Sequence, residues 1–288
     1  MRWWDKDQKY DILQTFYYPN TVTRYSLSRG IKTVSYVCLD GLTSRNQFLT
    51  KISELEMELY RRIRPSIADN LGYRMSEIGA KFIVPSRGEI RYLEQLFKVN
   101  RERCHVILHG VDEVYKSQRW SGKKEYLVSV GSICRRKNSL ILAKVANALK
   151  VPVIFIGRMQ ENDKDYLRLF QNEVNNIYVT HLGNVEDLEK IEYIKDSRGV
   201  VSLSRGESGG ISNLEAIALG APLILPRYDW ATLTYEGYPS YVDMSSWKLM
   251  LSSLSAALEG LKPVVGFYTP SWDEVASQCL DVYKGLLT

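Results

Sequence analysis

Residues Val200 to Pro226 read VVSLSRGESGGISNLEAIALGAPLILP, and this stretch decides the fold. It opens on a short apolar run, Val200-Val201-Ser202-Leu203. A Gly-rich polar loop, Arg205 to Gly210, follows. Ile211, Leu214, Ile217 and Ala218 then recur at helical spacing until Gly220 stops them, and Ala221 to Leu225 is a second apolar run ending at Pro226. Period and punctuation predict strand, loop, helix, strand. Such a βαβ unit sets a helix N-terminus at the carboxyl end of a parallel sheet, where anions and nucleotides bind in open α/β folds. Two carboxylates, Glu207 and Glu215, flank the loop.

The alternation continues upstream. Strands are expected at Glu125–Val130, Val151–Gly157 and Ile177–Leu182, with helices over Ser139–Leu149, Lys164–Val174 and Leu188–Lys195. Downstream, a final helix from Ser271 to Leu287 carries Trp272, Val275, Cys279, Val282 and Leu286 on one face. The first half follows the same scheme. Strands are expected at Tyr10–Thr15, Gly30–Leu39, Lys81–Ser86 and Cys104–Leu108. Helices are expected over Asn46–Arg64, Ser66–Gly79 and Glu89–Phe97, and Phe48, Ile52, Leu55, Leu59 and Ile63 form the apolar face of the first. The polar segment Tyr115 to Glu125 reads as a linker. These signals predict two parallel α/β domains, residues 1–117 and 118–288, with a cleft between them.

The totals narrow the classes. At 288 residues, two domains are the expectation. The net charge of +5 is far from the clustered basicity of a nucleic-acid binder. The four cysteines, Cys38, Cys104, Cys134 and Cys279, are scattered without CxxC or histidine at ligand spacing, so a reduced cytoplasmic protein without structural zinc is expected. The N-terminus lacks the apolar core of a signal peptide, and no apolar run approaches the ~20 residues that span a bilayer. Arg61, Arg62 and Arg64, in the same half as Trp3 and Trp4, read either as a solvated helix face or as a peripheral contact with anionic lipid or a charged acceptor.

Two loops stand out chemically. Gly131 directly after a strand permits a tight turn, and Arg135, Arg136 and Lys137 then hold positive charge at the start of a helix, an arrangement suited to a diphosphate. The alternative is a surface loop with solvated charges. In the Gly-rich loop, Glu207 is placed to accept hydrogen bonds from sugar hydroxyls, Gly209 and Gly210 permit close backbone approach, and Glu215 is placed for ribose hydroxyls. Each carboxylate has a plainer reading. Ser212-x-x-Glu215 is a capping box, and Glu207 is a loop carboxylate in water. Asp163-Lys164-Asp165 matches a metal-binding DxD, but it stands where a helix N-terminus favours aspartate, so no metal site is expected. The three histidines, His105, His109 and His181, suggest no local triad.

On these motifs the chain resembles the group 1 retaining glycosyltransferases of the GT-B fold. ESGGISNLE, Glu207 to Glu215, resembles their Glu-x7-Glu signature and continues as AIALGAP. VGSICRRKN resembles their phosphate loop, and YVTHLGNVED, with Asn184 and Val185, the strand and loop that hold the nucleotide base. FIVPS followed by VILHGVD resembles the end of their N-terminal domain, and YVCLDG the Asp-Gly turn of one subgroup. The resemblance implies two Rossmann-like domains, the first shortened. It implies a metal-independent, retaining transfer of a sugar from a nucleotide-diphosphate donor to an unidentified acceptor, with no cofactor. Arg136 and Lys137 would hold the diphosphate, Glu207 the transferred sugar and Glu215 the ribose. Gly131, Ser132, Ser208, Gly209, Gly210, Ile211 and Ser212 would line the donor site, with Asp40 and His109 on the acceptor side. Gly209 stands where an aromatic is usual, which implies a wider sugar pocket. Ser132 stands where many members have arginine. The shortened first half admits a second reading, a non-catalytic sugar-nucleotide-binding or partner subunit. A third, an epimerase, would need acid–base residues that the sequence does not offer.

Overall fold

The computed structural model describes residues 10–16, 29–38, 47–63 and 81–287. Asp40, Arg64, the two N-terminal tryptophans and the helix expected over residues 66–79 lie outside them. The chain divides into two units, Met1–Leu108 with Val275–Thr288, and His109–Glu274.

In the first unit, β1 (Ile12–Phe16), β2 (Lys32–Tyr36), β3 (Lys81–Val84) and β4 (Cys104–Val106) form a parallel sheet in that order. The middle strands are buried on both faces, as parallel strands covered by helices must be. Phe82 and Val84 point to one side, onto Ile90, Leu93, Leu96 and Phe97 of α2 (Arg87–Phe97). Ile83 points to the other, with Val34, Ile107 and Val282. Val282 lies on α10 (Trp272–Leu287), so the last helix runs with the first unit from Val275 onward, and Val275, Cys279 and Leu286 pack on that cluster as their spacing predicts. The helix α1 (Gln47–Ile63) forms, but Ile52, Leu55, Leu59 and Ile63 of its apolar stripe are exposed, and Ser53 is the buried position among its described side chains.

The second unit holds β5 (Leu127–Val130), α4 (Ser139–Leu149), β6 (Val153–Ile156), α5 (Lys164–Glu173), β7 (Val179–Gly183), α6 (Asp187–Asp196), β8 (Gly199–Val201), α7 (Ile211–Leu219) and β9 (Leu223–Pro226). After these come α8 (Asp229–Tyr235), β10 (Ser240–Val242) and α9 (Trp247–Glu259). These last three elements escaped the sequence reading. A signal for α9 exists: Ser246 caps it, accepting from Leu249 N–H at 3.2 Å, and Met250, Leu254, Ala257 and Leu258 enter the core.

All six strands are parallel, in the order β10-β9-β8-β5-β6-β7. The chain builds outward from β5 through β6 to β7, then returns to the other side of β5 with β8. The direction of winding therefore reverses between β5 and β8, and at such a switch point the two following loops diverge and leave a crevice.

The stretch from Tyr115 to Glu125 is not a linker. Tyr115 is buried on the single turn α3 (Glu113–Lys116). Beyond it the backbone N–H groups of Trp120, Ser121 and Lys124 donate to the carbonyls of Leu219, Lys195 and Asp196 at 2.8 Å each, and the Trp120 indole N–H reaches the Ser197 carbonyl at 2.7 Å. The segment satisfies carbonyls at the ends of α6 and α7 that lack partners inside their own helices. Its polar composition reflects that bonding.

Candidate active site

The loop after β5 begins at Gly131, whose φ of +142° lies in the region that favours glycine. Gly157, after β6, has φ +143°, and a Cβ there would overlap the Gly131 carbonyl oxygen and stand 3.2 Å from the Ser132 nitrogen. The two glycines let neighbouring strand ends approach. The three basic residues of this loop then separate. Arg135 pairs with Asp163 and lies over the Tyr166 ring, 5.1 Å from its centroid. Arg136 and Lys137 turn toward the loop after β8.

That second loop carries Glu207, whose side chain is only 8% exposed, with Lys137 Nζ 2.6 Å from Oε1 and Arg136 Nη1 3.2 Å from Oε2. Arg136 Nη1 also donates to the Gly206 carbonyl at 2.9 Å. The loops are joined by backbone as well: Arg205 N–H donates to the Arg136 carbonyl at 2.8 Å, and the Ser204 hydroxyl donates to the carbonyls of Arg136 and Gly206. From below, the buried Trp230 indole donates to the Ser204 carbonyl at 3.2 Å. Glu207 as a carboxylate in water is thus overturned, because two cations from the neighbouring loop enclose it.

The loop ends in two glycines with different reasons. Gly210 caps α7 with φ +54°, and a Cβ on it would lie 2.7 Å from the Tyr235 hydroxyl oxygen. Gly209 has no left-handed backbone. A Cβ on it would overlap Cδ2 and Nε2 of the His109 ring and stand 3.0 Å from Cγ. The space at residue 209 is therefore filled, by a side chain from elsewhere, and the wider pocket expected there is not what the fold provides. Past Gly210 the first N–H groups of α7, those of Ile211 and Ser212, fall outside the helix's own ladder. With Arg136, Lys137 and Glu207 nearby, this mouth carries a net positive charge beside a helix N-terminus and suits an anion with hydroxyl-bearing substituents.

Glu215, on α7, does not close a capping box. The cap is Gly210, Ser212 lies inside the helix, and the Glu215 carboxylate instead accepts from Lys190 of α6 at 3.2 Å. Both side chains are largely buried, 12% and 15% exposed, and the Lys190 ammonium lies 5.3 Å from the centroid of the Tyr115 ring. Burial opposes the lysine charge, but the Tyr115 hydroxyl and the Glu215 carboxylate outweigh it and hold Lys190 above the ordinary lysine range. Burial raises Glu215 above the ordinary carboxylate range, and Lys190 offsets this only in part. Nothing in the local sequence pattern marks Lys190, Tyr115, Trp230 or Tyr235 as parts of this framework. Their roles arise from elements brought together in space.

The remaining expectations are dispersed. Gly131 and Ser132 sit at the mouth of the β5 loop, and Ser208 is buried beside Glu207. Asn184 and Val185 lie between β7 and α6, at the same carboxyl edge of the sheet but two strands from β5. Asp163 is a helix cap, accepting from Tyr166 N–H at 3.1 Å, and Asp165 pairs with Arg168 on its own helix. Among the described residues no group of three or more His, Cys, Asp or Glu is placed to hold a metal ion, and no helix is long and apolar enough to cross a membrane.

Residues 111–231 match the family model for glycosyl transferases group 1. No curated protein matches by sequence. Among solved structures, sucrose-phosphate synthase from Thermosynechococcus elongatus superposes with a TM-score of 0.66 at 16% identity, covering 96% of this chain and 74% of that one. HepE of Anabaena, in complex with UDP and glucose, has a TM-score of 0.60 at 14% identity, covering 96% and 78%. AviGT4, a glycosyltransferase involved in avilamycin A biosynthesis, has a TM-score of 0.55 at 16% identity over 72% of this chain, which spans 63% of its length.

Proposed function

With residues 111–231 belonging to the group 1 glycosyl transferases on a GT-B fold, we propose that this chain is a metal-independent, retaining glycosyltransferase acting on a nucleotide-diphosphate sugar. The observation that carries the reading is the meeting of Arg136, Lys137 and Glu207 at the switch point between β5 and β8. Two fixed cations beside a helix N-terminus suit a diphosphate, and they stabilise the charge that grows on it as the glycosidic bond to the sugar breaks. Without donor, Glu207 neutralises those cations. When the diphosphate takes over that role, the carboxylate is freed to accept hydrogen bonds from sugar hydroxyls. Ile211 and Ser212 present N–H groups to the same space. Glu215, held by Lys190, is assigned to the ribose, and Asn184 and Val185 to the base. A cytoplasmic setting accords with four cysteines that form no disulfide among the described residues.

The test is a panel of nucleotide sugars with purified protein, read by thermal shift and by release of nucleoside diphosphate in excess EDTA. Binding of at least one donor with turnover is expected. Binding without any transfer or hydrolysis would favour the second reading, a donor-binding partner subunit. No binding at all would defeat both.

A further inference from the structure

The unusual feature of the sugar loop is that its glycine at 209 exists for room. The φ of Gly209 lies outside the positive range where side chains are strained, so an ordinary residue could adopt this backbone. What forbids one is the His109 ring, whose Cδ2 and Nε2 occupy the volume of the missing Cβ. We infer that His109 is a positioning residue of the donor-sugar loop: its imidazole takes the place of a side chain at 209 and holds the Glu207–Ile211 backbone in its sugar-binding shape. This rests on the donor reading above and deepens it. It also moves His109 from the acceptor side, where the sequence had suggested it, to the donor loop.

The ring is itself held in place. Val111 N–H donates to the Pro270 carbonyl at 2.8 Å, Val111 is buried, and a Cβ on Gly110 would meet the Trp272 ring at 2.5 Å, so residues 109–111 lie tightly on the segment at 270–272. The indole of Trp272 lies 6.3 Å from the imidazole, centroid to centroid. Burial lowers the affinity of His109 for a second proton, so the group that packs against the loop is the neutral ring. On the opposite side, Tyr235 is buried against Asn213 and Gly210. The double glycine thus lies between two rings, His109 above residue 209 and Tyr235 behind residue 210. Two consecutive glycines would otherwise leave the segment that presents the sugar-facing groups with high conformational entropy. Arg136 and Lys137, which the donor reading assigns to the diphosphate, belong to the other loop, and their partners here, Glu207 and the Gly206 carbonyl, precede the position that the ring fills.

The experiment follows from that division. His109→Ala, Gly209→Ala and the double variant His109→Ala/Gly209→Phe are titrated with UDP and UDP-glucose, and with GDP and GDP-mannose. Removing the ring is expected to weaken the sugar nucleotide about tenfold, the equivalent of one charge-assisted hydrogen bond, while the bare diphosphate changes less than about twofold. Gly209→Ala alone is expected to do the same and to lower the melting temperature, because the new methyl group displaces the ring from its place against the loop. Moving the ring from 109 to 209 in the double variant is expected to restore both. Equal weakening of UDP and UDP-glucose in His109→Ala would show a merely structural ring and overturn the inference, as would a Gly209→Ala protein that binds and melts like the parent. Parent protein that binds none of these nucleotides is a different failure, that of the donor reading, and it would take the inference with it.

Discussion

Replacing Glu207 by alanine tests the central arrangement most directly, because the same change is expected to weaken the unliganded protein and spare or improve diphosphate binding. The carboxylate is 8% exposed and pairs with Lys137 at 2.6 Å and Arg136 at 3.2 Å, whose side chains are 17% and 33% exposed. At an effective dielectric of about 20, one such contact carries roughly 4 kcal/mol of Coulomb attraction before desolvation. Most of that is offset by the cost of withdrawing the charges from water, and the partly exposed cations recover hydration when the carboxylate leaves. A net loss of about 1–2 kcal/mol remains. For a unit of this size that is a fall of roughly 2–8 °C in melting temperature. A nucleoside diphosphate at 100 times its dissociation constant adds about 2.7 kcal/mol of apparent stability. Because the anion replaces the missing carboxylate, the variant is expected to gain at least as much as the parent and bind UDP or GDP as tightly or more so. Transfer, which needs the carboxylate on the sugar, is expected to fall by about a hundredfold or more. Differential scanning fluorimetry with and without nucleotide, beside a transfer assay, measures all three. A variant that melts like the parent and binds the diphosphate more weakly would refute the reasoning.

Lys190→Met strands the buried Glu215 and is expected to cost about 2–3 kcal/mol at neutral pH. Burial already holds Glu215 above the ordinary carboxylate range and Lys190 opposes that shift, so the substitution raises Glu215 further. A folded state that binds this proton more tightly than the unfolded one gains stability as pH falls. Melting curves across the range from neutral pH toward about 4.3, the ordinary glutamate value, should show the deficit shrinking on acidification, and a constant deficit would contradict the ion-pair account. Asp163→Ala removes a helix cap and the partner of Arg135. It is expected to lower the melting temperature slightly and to leave nucleotide-sugar turnover insensitive to EDTA or added manganese, whereas a manganese-dependent difference between variant and parent would restore the metal reading.

The alternation of apolar runs and helical periods in this chain is a local property, and from it both parallel sheets and the stop at Gly220 were legible. So were the two motif loops, because Gly131 and Gly210 mark sharp turns whatever surrounds them. Three things were decided only by packing. Ser212-x-x-Glu215 has the spacing of a capping box, yet Gly210 in the left-handed region starts the helix and Lys190 from α6 claims the carboxylate. The polar stretch 115–125 looks like a linker until helix ends need its N–H groups. Within the run Arg135-Arg136-Lys137 the sequence distinguishes nothing, but the fold sends Arg135 to Asp163 and the other two to Glu207. By itself, then, the stretch from Val200 to Pro226 determines a helix N-terminus at the edge of a parallel sheet with two carboxylates near it. The partners of those carboxylates, and the histidine that fills the place of a side chain at Gly209, come from residues far away in the chain. Long-range side-chain contacts follow from which strands become neighbours at the switch point, and no local pattern encodes that.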